Sequence, residues 1–102
     1  MLRVKVEKNN SGFSKINLLG HADYASYGKD IVCSSASSIM ITTVNAIMMF
    51  DKTYITYEEK KDVFTIIINK NNEIVDKLIN NMLNMFNSLA SDYPENIKIE
   101  EE

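Results

Sequence analysis

Two side chains in this sequence are suited to covalent chemistry: its only histidine, His21, and its only cysteine, Cys33, both in the segment 20–38. A cysteine attacks as its thiolate, and an imidazole can take that proton near neutral pH, so the pair has the residues acyl transfer to a thiol needs. Asp30 precedes Cys33 by three positions and fits a helix N-cap, whose side chain accepts from the first helical N–H groups. Cys33 then falls at the third helical position, where unpaired N–H groups and the positive end of the macrodipole favour a thiolate. The same N–H groups are expected to hold the oxyanion of a tetrahedral intermediate.

His21, twelve positions before Cys33, is expected to act as the base and to return the proton to the leaving amine. The polar segment between Gly20 and Gly28 is expected to be mobile and to order over a substrate. Asp30 has a second reading as the group that orients His21, although its carboxylate beside the sulfur would raise the thiol pKa. Ser37, one turn after Cys33 on the same face, is a supporting candidate. Each residue also has a plainer reading: a lone cysteine is more often an inert buried thiol, and a lone histidine a solvated one.

The flanking periodicities define the elements that must position this pair. Leu2, Val4 and Val6 alternate with Arg3, Lys5 and Glu7, which predicts a half-buried strand. Asn9-Asn10-Ser11-Gly12 supplies turn chemistry, and 13–19 predicts the returning strand of a hairpin. The segment 20–29 has no period and reads as a loop.

From Ile31 to about Phe50, Val32, Ala36, Ile39, Met40, Thr43, Ile47 and Phe50 recur at helical spacing, and Ile41, Val44 and Met48 widen the stripe. So wide an apolar arc predicts a central helix buried on most sides. A second hairpin is predicted from strands 53–57 and 63–68 around the charged turn 58–62. Asn71 or Asn72 caps a second helix with Ile74, Val75, Leu78, Ile79, Met82, Met85, Phe86 and Leu89 inward, ended by Tyr93-Pro94. Residues 96–100 alternate as a last strand, and Glu101-Glu102 is expected to fray. The order ββαββαβ predicts an α/β fold in one domain: a two-layer sandwich of a mostly antiparallel sheet with two helices.

Composition narrows the function classes. At 102 residues there is one core, and a net charge of −3 provides no basic surface for direct nucleic-acid binding. A basic peptide is the better partner. No apolar run approaches the ~20 residues of a membrane span, and the first strand is not a signal peptide, so a cytoplasmic protein is expected. One cysteine forms no internal disulfide and lacks the companion ligands of a zinc site.

Gly20-His21-Ala22, the spacer ending Tyr27-Gly28, Asp30-Ile31-Val32-Cys33 followed by Ser-Ser-Ala-Ser, and Val44-Asn45-Ala46-Ile47 together resemble the ribosomal-processing cysteine protease family Prp over essentially the whole chain. The resemblance implies an endopeptidase that removes the N-terminal extension of large-subunit ribosomal protein twenty-seven, cutting after an aromatic pair during ribosome maturation in Firmicutes and related bacteria. It implies Cys33 as nucleophile, His21 as base, Asp30 and Ser37 in support, and Gly20 and Gly28 as the glycines of a mobile loop. It also implies a homodimer without metal or cofactor. Ser34-Ser35 stands where the family usually has Ala or Gly, a departure that touches local packing. The rival function is a non-catalytic ribosome-assembly module that binds protein.

Overall fold

A computed structural model describes residues 1–22, 25 and 30–102. The chain runs β1 (Leu2–Asn9), β2 (Gly12–Leu19), α1 (Ile31–Phe50), β3 (Ile55–Lys60), β4 (Val63–Ile68), α2 (Glu73–Asp92) and β5 (Ile97–Glu101). The sheet order is β3-β4-β2-β1-β5. Every neighbouring pair is antiparallel except β1 and β5, which run parallel. The predicted sandwich and element order are therefore the observed ones.

Period-two alternation sends Leu2, Val4, Val6, Ile16, Leu18, Ile55, Ile66, Ile68 and Ile97 to one face, where they join the buried stripes of both helices in one core. The register stacks these residues directly: Val4 faces Leu18, Val6 faces Ile16, and Ile16 faces Ile66. The opposite face carries polar pairs such as Thr65 Oγ1 donating to Asn17 Oδ1 at 2.7 Å and Arg3 bridging Glu100 at 2.6 Å.

Helix α1 begins at the predicted cap, with Asp30 accepting from Val32 N and Cys33 N. It ends at Asp51, whose carboxylate accepts from the Thr53 hydroxyl at 2.6 Å and the Thr53 amide at 2.8 Å. Those two bonds, side chain first, hold the Asp51 carboxyl below the usual carboxylate range. Helix α2 is capped by Asn72, which accepts from Val75 N.

Five expectations change. The turn of the second hairpin is two residues, Lys61-Asp62, because Asp62 adopts φ 62° and reverses the chain at once; Glu58, Glu59 and Lys60 remain in an exposed edge strand. Thr53 and Tyr54 precede that strand, since Thr53 is tied back to Asp51. Phe50 and Met85 lie on the predicted apolar stripes yet are 62% and 47% exposed, whereas Leu83, absent from the stripe, is buried. Glu101 pairs with Val6 and Glu102 N donates to Val6 O, so this end is a strand edge and not a frayed tail. Finally, α1 is long and apolar enough by composition to cross a membrane, although Ser and Thr are interspersed along it. Here it is the core helix, packed through Val32, Ala36, Met40, Val44 and Ile47.

The register has one further consequence. Arg3 faces Leu19, Leu19 faces Val63, and Leu2 faces Ile97. The residues just outside those pairs, Met1, Gly20, Asp62 and Asn96, therefore gather at one end of the sheet.

Candidate active site

Cys33 stands in the first turn of α1, half-buried. Asp30 Oδ1 accepts from Val32 N and Cys33 N, each at 3.0 Å, and Ser34 N donates to the Asp30 carbonyl at 3.1 Å. The Asp30 side chain is nearly buried at 8% exposure. Asp30 thus caps α1 as its first reading expects. It also alters the expected oxyanion site, because the amides of Val32 and Cys33 already have acceptors.

A different backbone donor faces the sulfur. Ala22 N donates to Cys33 Sγ at 3.4 Å, and Ala22 is fully buried. An N–H aimed at sulfur favours negative charge on it, which is the role first assigned to the helix terminus.

His21 lies at the rim, with 56% of its side chain exposed, and its Nε2 is 3.1 Å from Asp62 Oδ1. Asp62 also holds the adjacent backbone, since Gly20 N donates to its carbonyl at 3.2 Å. Gly20 itself takes φ +87°, and a Cβ there would lie 2.7 Å from the Met1 carbonyl oxygen. Glycine is thus required where the chain leaves β2 and turns towards Cys33.

Gly20, His21, Asp30, Cys33 and Ser37 all line one pocket of about 1040 Å³. Ser37 sits one helical turn beyond Cys33, half-buried. Leu18 and Phe64 add apolar wall, and Glu59 to Asp62 form a charged rim. Gly28 and most of the segment expected to be mobile lie outside the described residues. The pocket therefore joins a thiol with a donor on its sulfur, an imidazole with a carboxylate partner, and an apolar wall. Those are the parts required to bind a peptide and transfer its acyl group to sulfur.

Three contributors were not singled out from the sequence: Asp62, Ala22 and Asn96. Asp62 was submerged in a charged turn. Ala22 acts through its backbone, which no residue type announces. Asn96 Nδ2 donates to the Ala22 carbonyl at 2.9 Å from 74 positions away, a contact only the sheet topology creates.

A family model described as "Cysteine protease Prp" matches residues 1–98. The "Ribosomal processing cysteine protease Prp" of Staphylococcus aureus (strain Mu50 / ATCC 700699) is 31% identical, over 97% of each chain. The crystal structure of the S. aureus Prp protease with a covalently linked product peptide superposes with a TM-score of 0.91 at 28% identity, covering both chains fully. The same enzyme with a substrate peptide gives 0.86 at 27% identity, again over both chains. SMU.848 from Streptococcus mutans gives 0.78 at 25% identity, covering 99% of this chain and 93% of the other.

Proposed function

This chain belongs to the cysteine protease Prp family, and on that premise we propose that it processes a ribosomal protein with Cys33 as nucleophile and His21 as base. The observation that carries the assignment is the shared pocket of the only cysteine and the only histidine, with the Ala22 N–H on the sulfur. The substrate is the N-terminal extension of large-subunit ribosomal protein twenty-seven, cut after an aromatic pair. Leu18 and Phe64 supply an apolar wall suited to such residues.

Asp62 takes the Nε2–H of His21, which leaves Nδ1 to accept the Cys33 proton. The thiolate adds to the scissile carbonyl carbon, and the resulting tetrahedral oxyanion collapses as the C–N bond breaks. Imidazolium returns its proton to the departing amine, leaving a thioester on Sγ. His21 then deprotonates a water that attacks the thioester; the C–S bond breaks, the acid product leaves, and the thiolate regains its proton. Asp30 supports the site by fixing the first turn of α1, and Ser37 supports it from the pocket wall. Gly20 lets the chain turn out of β2 so that His21 is carried to the pocket.

We place this activity in a single-domain cytoplasmic enzyme that acts as a homodimer, without metal or cofactor and without direct contact to nucleic acid or membrane. Adjacent exposed Met49 and Phe50 at the C-terminal end of α1 are apolar surface available for self-association. Cys33→Ala and Cys33→Ser should abolish cleavage of a peptide containing the extension and its aromatic pair, with the circular dichroism spectrum unchanged. Full cleavage by the alanine variant would overturn the assignment and favour a non-catalytic assembly module.

A further inference from the structure

We infer that Asn96 is a positioning residue for the Cys33 thiol, acting through the Ala22 backbone. Two hydrogen bonds in series link the three residues: Asn96 Nδ2 donates to Ala22 O at 2.9 Å, and Ala22 N donates to Cys33 Sγ at 3.4 Å. The inference rests on the reading of Cys33 as nucleophile.

The Ala22 N–H is held from both sides. Upstream, Gly20 N is anchored on the Asp62 carbonyl at 3.2 Å; downstream, the Ala22 carbonyl is anchored on Asn96. His21 lies between the two anchors, so the same pair sets where the imidazole leaves the backbone. Among the described residues, the other restraints on that N–H are the upstream anchor and the packing of the buried Ala22 methyl.

Asn96 is itself rigidly placed by its main chain. Its N donates to Tyr93 O at 3.0 Å, and its carbonyl accepts Leu2 N at 2.9 Å, at the start of the parallel β1–β5 pairing. Substituting the side chain therefore leaves the strand register intact and removes only the donor. A carboxylate of the same shape cannot replace it, because an ionised oxygen facing the Ala22 carbonyl repels it. The contact to sulfur strengthens when the sulfur is charged, so a well-aimed Ala22 N–H draws Cys33 towards thiolate.

The test compares Asn96→Asp, Asn96→Ala and Asn96→Gln in the full chain, with three readouts. Iodoacetamide alkylation of Cys33 is followed from pH 5 to 10, peptide cleavage is resolved into kcat and KM, and amide exchange is measured at Ala22. In the aspartate and alanine variants the alkylation midpoint should move to higher pH, and kcat should fall about tenfold with KM within about twofold. Ala22 should exchange faster while the α1 amides do not, and Asn96→Gln, which keeps a donor, should recover part of each loss. A wild-type alkylation profile and wild-type Ala22 exchange in both the aspartate and alanine variants would overturn the inference. Retained cleavage by Cys33→Ala would instead overturn the protease reading, while alkylation and exchange would still report on Asn96.

Discussion

His21 Nε2 lies 3.1 Å from Asp62 Oδ1, and the carbonyl of the same Asp62 receives the Gly20 amide at 3.2 Å. One turn residue thus holds both the imidazole and the backbone that presents it. The pair is half exposed, and exposed pairs contribute about 0.2–1 kcal/mol, so its loss should slow cleavage by at most about fivefold without abolishing it. Asp62→Gly is the informative variant, because glycine accepts the positive φ of this turn and deletes only the carboxylate. Nitrogen NMR of the single histidine should show Nδ1–H gaining population as Nε2 loses its partner. An unchanged tautomer balance and unchanged kcat would show that Asp62 does not orient His21.

Gly20→Ala should be among the most damaging small substitutions in the site. Its Cβ would meet the Met1 carbonyl at 2.7 Å from a backbone at φ +87°, a strain of about 1–3 kcal/mol. For a domain of this size that lowers the melting temperature by about 4 °C or more. Relief of the contact would also displace His21, so activity should fall further than stability alone explains. A variant melting within a degree of wild type would show that the backbone here is not constrained.

Tyr57→Phe should stabilise the protein. The Tyr57 hydroxyl is buried without a hydrogen-bond partner among the described residues, and its ring stacks on Phe64 at 6.4 Å between centroids, a contact phenylalanine keeps. Removing such a hydroxyl is expected to gain about 1 kcal/mol near neutral pH. Burial, with a smaller contribution from nearby Glu59, raises the Tyr57 pKa above its ordinary 10.0. The unfolded chain therefore ionises first, and the wild-type protein loses stability as pH rises past that value. The advantage of the variant should widen between neutral pH and pH 11 in urea melts. A gap that stays flat or narrows would mean the hydroxyl is solvated.

The elements were legible because strong periodicities governed them. The alternation of Leu2, Val4 and Val6 and the Asp30 cap led directly to β1 and to the start of α1. Errors arose where helical spacing outran the available partner surface, as at Phe50 and Met85, and where one positive φ at Asp62 shortened a turn. In the site, side chains with distinctive chemistry stood out: His21, Cys33, Asp30 and Ser37 line the same pocket. Asp62 and Asn96 did not, since a charged turn and an asparagine before a strand are common, and their importance comes from the strand register that aligns both with Gly20. The Ala22 amide was hidden for a simpler reason: every residue but proline has one.

Parallel pairing of β5 with β1 has a consequence for when the thiol becomes dangerous to its surroundings. The Asn96–Ala22 bond closes a span of 74 residues, so no local fragment around Cys33 contains the complete arrangement. A peptide covering 20–38 should carry a cysteine of ordinary reactivity, as should a nascent chain whose last strand has not yet docked. On the proposed assignment of Cys33, its full reactivity should therefore arrive only once β5 has docked on β1, which ties the chemistry of the site to completion of the fold.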